Sequence, residues 1–302
     1  MKKNNRENPA GGRTTKAGYV ALIGRTNVGK STFLNRIMEA KVAIVSDSPQ
    51  TTRRQILGIH TDRRGQIVFF DSPGIHKPHF KLNERMMKDV YSSLMDADII
   101  LYFVEIDDRR PDAFILGMIR DAKQPLFLII NKIDKYSRGR VLERIQAFKD
   151  LTEWDEIVPM SALRGDNVDH LETLLFEYLP PGEPFFPPEE LTRQSDTYYV
   201  AELIREKVLR HTRQELPFTT SVKVQEMTDR EKIRYIRAEI YVETHSQKKI
   251  LVGKGGHLVK QVGAAARVEI EEYLGKKVYL DLYIKVVPGW RNSPQFLKDI
   301  FD

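Results

Sequence analysis

The apolar run Tyr19-Val20-Ala21-Leu22-Ile23 leads at once into Gly24-Arg25-Thr26-Asn27-Val28-Gly29-Lys30-Ser31, and apolar Phe33, Leu34, Ile37 and Met38 recur behind it at helical spacing. Gly24 and Gly29 let the chain turn tightly from strand to helix. Successive backbone N–H groups then point inward, and the positive end of the helix reaches the same spot. Such a nest fits a polyphosphate. Lys30 would reach the β- and γ-phosphates as a point charge, and the Ser31 hydroxyl would ligate the Mg²⁺ that bridges them. Thr32 closes the set of phosphate-loop candidates.

A second apolar run, Leu126-Phe127-Leu128-Ile129-Ile130, ends in Asn131-Lys132-Ile133-Asp134. The Asp134 carboxylate can accept two hydrogen bonds from guanine, from N1–H and from the exocyclic amine, a pair that adenine cannot offer. Asn131 can meet the base edge while the Lys132 stem stacks on the ring. Adenine would leave a buried acceptor unpaired and bind more weakly. Ser161-Ala162-Leu163 follows the strand-like Glu156-Ile157-Val158-Pro159-Met160 and can give a backbone N–H to the guanine carbonyl.

Between these motifs, Ile67-Val68-Phe69-Phe70 delivers Asp71-Ser72-Pro73-Gly74. Asp71 would hold Mg²⁺, mostly through water, and the Gly74 N–H would contact the γ-phosphate and report its loss. Residues 45–55, including Thr51-Thr52-Arg53-Arg54, show little apolar periodicity and read as a mobile loop. A threonine hydroxyl from this loop would complete the Mg²⁺ shell only when the γ-phosphate is present. Thr51 and Thr52 both qualify, and Thr52 is the expectation. Arg53 and Arg54 are expected to face solvent or a partner. Ile75, directly after Gly74, has no hydrogen-bonding group with which to orient a water.

Pro180-Pro181-Gly182-Glu183-Pro184-Phe185-Phe186-Pro187-Pro188 cannot continue a helix and lacks the donors of a central strand, which marks a boundary. Beyond it, Val200, Leu203, Ile204, Val208 and Leu209 share a helical face, and residues 219–227 and 233–242 alternate like paired strands. Two further helical stretches flank Gly253-Lys254-Gly255-Gly256, and residues 278–286 supply a last strand. At the glycine tip a nucleic-acid backbone could approach with no Cβ in the way, drawn by Lys254.

Together these motifs resemble the translational GTPase superfamily at large and, more narrowly, the Era-type bacterial GTPases; the resemblance extends over nearly the whole chain. It implies an α/β P-loop Ras-like G domain followed by an α+β type II KH RNA-binding domain. The expected division is a basic tail over 1–16, a GTPase domain over 17–179, a linker over 180–194 and a KH domain over 195–302. The implied activity is Mg²⁺-dependent hydrolysis of GTP to GDP, with Asn27, Lys30, Thr52 and Gly74 as the catalytic groups. Asn27 could hold a K⁺ ion that supplies charge where other systems use an arginine finger, or it could merely stabilise the loop turn. The implied partners are the single-stranded 3′ end of 16S rRNA and the 30S subunit, bound by a monomer through Gly253, Lys254, Gly255, Gly256 and Lys260. Similar proteins also make peripheral contact with the inner membrane. Trp290 reads either as a domain anchor or as a stacking surface near RNA. Two other readings stay open: a GTP-gated module whose KH-like domain binds mainly protein, and a tRNA-modification GTPase.

Charge agrees with this division. The chain carries a formal +6, with 19 basic against 15 acidic residues from 195 to 302 and 5 against 1 in the first 16. Positive charge thus lies away from the nucleotide half and suits a polyanionic partner. The absence of cysteine excludes disulfides and thiolate metal sites and fits a cytoplasmic location. No signal-peptide pattern and no long apolar run is present. His76 and His79 read as turn residues rather than ligands, and Asp107-Asp108-Arg109-Arg110 as a solvent-facing connection.

Overall fold

A computed structural model describes residues 15–75, 79–108, 112–212 and 215–301; His76, Arg109 and Arg110 lie outside the described residues, as does most of the expected basic tail. The first half runs β1 (Lys16–Gly24), α1 (Lys30–Ile37), β2 (Ile56–Asp62), β3 (Gly65–Asp71), α2 (Lys81–Asp96), β4 (Ile99–Glu105), α3 (Ala113–Ile119), β5 (Leu126–Asn131), α4 (Arg138–Lys149), β6 (Glu156–Pro159) and α5 (Val168–Tyr178). One sheet forms in the order β2-β3-β1-β4-β5-β6, with β2 antiparallel to β3 and the other pairs parallel. Helices cover both faces, which is why β1, β3, β4 and β5 read as unbroken apolar runs. The strand order reverses beside β1, and α/β sheets bind ligands at the carboxyl ends of strands at such a point.

β2 is not evident from the sequence, because Gly58, His60 and Thr61 dilute its pattern. Gly58 lets α1 pack closely there, since a Cβ would lie 2.5 Å from Leu34 Cδ1 and Leu34 would have to shift. The connecting segment covers this edge strand: the Ile59 N–H donates to the Leu191 carbonyl at 2.9 Å. The same segment is fastened along the first sheet, with the Phe185 and Phe186 N–H groups donating to Gln66 Oε1 at 2.8 and 3.0 Å and the Phe185 ring stacked on Tyr19. Lys16, expected in the tail, opens β1 and pairs with Gly65 of β3.

The second half runs α6 (Asp196–His211), α7 (Leu216–Thr219), β7 (Ser221–Asp229), β8 (Arg234–Val242), α8 (His245–Val252), α9 (His257–Leu274), β9 (Val278–Val286) and α10 (Pro294–Phe301). Its sheet has the order β7-β8-β9, antiparallel then parallel. Ile236, Ala238, Ile240 and Val242 of β8 alternate inward onto α6 and α9. Every residue of α6 from Tyr199 to Leu209 is buried, including Glu202, Arg205, Glu206 and Lys207. A helix with only one covered face would expose those charges. Here the second sheet and α9 cover one side, and residues 41–53 of the first half cover the other. Trp290, fully buried, packs with Leu297 and Phe301 against Leu82 and Met86 of α2, and its Nε1–H donates to the Thr219 carbonyl at 2.9 Å. It is therefore an anchor between the two halves, and the stacking-surface reading is excluded. Among the described residues no helix is long and apolar enough to cross a membrane.

Candidate nucleotide site and nucleic-acid interface

Gly24 and Gly29 hold φ values of +147° and +98°, where an L side chain is strained. A Cβ on Gly24 would also lie 2.5 Å from the Phe103 carbonyl oxygen. The loop they shape carries Lys30 at the buried start of α1. Lys30 Nζ donates to the carbonyls of Gly24 at 3.2 Å and Arg25 at 2.9 Å. Burial lowers the Lys30 ammonium to about 8, and the nearby Asp71 carboxylate opposes that shift. The Arg25 side chain turns outward to Asp108 at 3.6 Å, and the Val28 side chain is buried in the core, so these two can serve a phosphate only through their backbone.

Three side-chain oxygens converge beside Lys30. Ser31 Oγ donates to Asp71 Oδ2 at 2.6 Å and lies 3.0 Å from Thr52 Oγ1, which is 3.5 Å from Asp71 Oδ2. Thr51 turns the other way, and its hydroxyl donates to the Ser48 carbonyl at 2.6 Å. Asp71 Oδ1 is buried with no hydrogen-bond partner, and burial raises the carboxyl above the usual range. An all-oxygen cluster with an orphaned carboxylate oxygen fits a hard divalent cation such as Mg²⁺.

The loop expected to be mobile is irregular but held. The Ile44 side chain packs in the core of the second half, and Thr51, Thr52 and Arg53 are buried. Arg53 does not face solvent: its guanidinium donates to the carbonyls of Thr220 at 2.6 Å, Pro217 at 2.8 Å and Phe218 at 3.1 Å. Arg54 is exposed, 5.3 Å from the Tyr198 ring centroid. Asn27, at φ +63°, donates from Nδ2 to the Asp47 carbonyl at 2.6 Å, which ties the phosphate loop to this segment. Gly74 lies so close to the phosphate loop that a Cβ would come within 2.7 Å of Thr26 Cα. Ile75 turns into the core, its N–H donating to the Gly24 carbonyl at 3.0 Å.

At the base end Asn131 has a structural task that the sequence did not reveal. Asn131 lines the pocket while its Nδ2 donates one hydrogen to the Val28 carbonyl at 2.7 Å and its Oδ1 accepts the Ala162 N–H at 3.0 Å. That also engages the Ala162 N–H in this arrangement. Asn131 is a strut that sets the spacing of three loops. Asp134 stands at the pocket, positioned by the Ser161 hydroxyl at 2.6 Å. Lys132 donates to the Asn27 carbonyl at 2.7 Å and pairs with Glu105, which lays its stem along the base end of the pocket. Leu163 also lines the pocket.

In the second half, Gly253, Gly255 and Gly256 have φ of +72°, +59° and +78° between α8 and α9. A Cβ on Gly253 would lie 2.9 Å from the Leu258 backbone nitrogen. Lys254, His257 and Lys260 are exposed at this tip. A groove runs from it between α9 and the edge strand β9, lined by Val259, Lys260, Gly263, Arg267, Leu280 and Leu282. Its apolar floor and cationic rim suit an extended single strand, with bases on aliphatic side chains and phosphates at the glycine tip.

A guanine-reading phosphate-loop domain joined to a KH fold defines the class. A family model described as a 50S ribosome-binding GTPase matches residues 19–132, and a KH-domain model matches residues 215–291. The crystal structure of a point variant of Aquifex aeolicus Era bound to GDP·AlF4⁻ is similar at 38% identity and a TM-score of 0.92, with 95% of this chain and 99% of that chain covered. A structure of Era in complex with MgGDPNP and nucleotides 1506–1542 of 16S ribosomal RNA matches with the same identity, score and coverage. The chain belongs to the Era family of GTPases, and it binds and hydrolyses GTP.

The residues missed in the sequence are those that join the halves: Arg205, Glu206 and the inward role of Arg53. The one available signal was four charged residues, Glu202, Arg205, Glu206 and Lys207, inside the otherwise apolar stretch 199–209 of α6.

Proposed function

We propose that this protein is a GTP-gated RNA-binding switch that engages the single-stranded 3′ end of 16S rRNA and assists assembly of the 30S subunit in the cytoplasm, acting as a monomer. In this reading residues 17–179 form the GTPase domain, 180–194 the connector and 195–302 the KH domain. The observation that carries it is Thr52, whose hydroxyl meets Ser31 at 3.0 Å while Arg53, the next residue, is buried against the second domain. The loop that would sense the γ-phosphate is thus continuous with the contact between domains. The choice of RNA rests on the Era complex that contains 16S nucleotides and matches this chain over both domains.

The backbone N–H groups of residues 26–32 would wrap the phosphates, and Lys30 would leave the Gly24 and Arg25 carbonyls for β- and γ-oxygens. Ser31, Thr52 and Asp71 would hold Mg²⁺, which when bound neutralises charge developing on the bridging oxygens. Gly74 would donate its N–H to the γ-phosphate. Asp134 would accept from guanine, with Ser161 fixing its carboxylate and Ala162 and Leu163 closing over the base. Because Ile75 is buried, Asn27 and the Asp47 carbonyl are the groups that would gather a K⁺ ion beside the phosphates. Gly253, Lys254, Gly255, Gly256 and Lys260 would clamp the RNA backbone.

Replacing Gly253 and Gly256 by Asp tests the RNA assignment. Affinity for an oligonucleotide of the 16S 3′ end should collapse while basal hydrolysis stays unchanged; undiminished RNA binding would falsify it.

A further inference from the structure

We infer that the KH domain holds the nucleotide-sensing loop in its triphosphate-ready form, with Arg205 and Arg53 as positioning residues for Thr52. Glu206 is completely buried on α6 and accepts the Val45 N–H at 3.0 Å. Burial disfavours the charge, but Lys207 at 2.7 Å and Lys41 at 2.8 Å outweigh it and hold this carboxylate below the usual carboxylate range. On the same helix, Arg205 is fixed by two bonds to Glu202, at 2.7 and 2.6 Å, and donates to the Thr51 carbonyl. On the other side of Thr52, Arg53 donates to three carbonyls at the end of α7 and lies 5.8 Å from the Trp290 ring centroid. The loop is therefore held at its start and on both sides of Thr52, and each of these holds comes from the second domain.

Irregular backbone without ladder partners must be ordered by something, and ordering it on binding weakens a ligand's apparent affinity. Here a neighbouring domain supplies the order, and Thr52 is aimed at Ser31 and Asp71. The clamp should therefore favour GTP over GDP, because only the triphosphate state uses the Thr52 hydroxyl. The inference rests on the proposed role of Thr52.

The experiment compares the full-length parent with Arg53→Ala, Arg205→Ala, Arg205→Lys, Glu202→Gln/Arg205→Met and Thr52→Ala. GTP and GDP affinities, kcat and KM are measured for each. Arg53→Ala and Arg205→Ala should cut the GTP:GDP affinity ratio by about tenfold, inside the roughly 5–150-fold span of such couplings, with GDP affinity unchanged. Arg205→Lys should restore part of it. The Glu202→Gln/Arg205→Met variant removes both buried charges together and keeps the test available if Arg205→Ala does not fold. Lowered thermal stability with the ratio and kcat intact would mean the arginines only glue the domains, and would overturn the inference alone. An intact ratio in Thr52→Ala would overturn the role of Thr52 and the inference with it.

Discussion

Asn131 Nδ2 sits 2.2 Å from where a Cβ on Gly29 would stand, and it donates to the Val28 carbonyl at 2.7 Å. The base-reading loop is thus built directly onto the phosphate loop, and the glycine there makes room for the strut as well as for a phosphate.

Asn131→Ala should weaken GTP and GDP alike. It removes two buried hydrogen bonds, each worth ~0.5–1.5 kcal/mol, and strands the Val28 carbonyl and the Ala162 N–H. The expected loss is about 10–100-fold in both dissociation constants by calorimetry. A loss confined to one nucleotide would mean Asn131 does not act on the shared scaffold.

Asp134→Asn should move base preference from guanine toward xanthine. A carboxylate accepts from the exocyclic amine of guanine, whereas an amide can donate to the carbonyl that xanthine carries there. Competition between GTP and XTP reads this out, and an unchanged preference for GTP would contradict the placement of the base.

Asp71→Asn separates chemistry from stability. The substitution removes a buried carboxylate that burial already disfavours as an anion, so thermal stability should hold or rise. Hydrolysis should fall by at least ~10²-fold because the cation loses its one charged ligand. Full activity, or activity that survives EDTA, would rule out a metal at this position.

Trp290→Ala should destabilise the protein by about 3–5 kcal/mol, since it empties a fully buried site and strands the Thr219 carbonyl. Denaturant titration measures it. A cost below about 1 kcal/mol would be that of a surface residue and would contradict its role as an anchor between the domains.

The buried strands and the chemical motifs were legible because each depends on local rules: a two-sided sheet demands unbroken apolar runs, and a phosphate nest demands glycines at fixed positions. What escaped depends on contacts between distant residues. β2 hides because its partners, Gly65–Asp71, dictate its pairing more than its own alternation does. Residues 45–55 look mobile because nothing within them reveals that Arg205 and Glu206, more than 150 positions away, hold their backbone. The strut made by Asn131 escaped because a side-chain amide suits a base edge and a backbone carbonyl equally well.

The most direct measurement is the affinity of a single-stranded oligonucleotide of the 16S 3′ end for the full-length protein, loaded in turn with a non-hydrolysable GTP analogue and with GDP. Binding several-fold tighter in the triphosphate state, at the same salt, is the predicted result. Equal affinity in the two states would show that the nucleotide pocket and the KH groove share a chain without sharing an equilibrium.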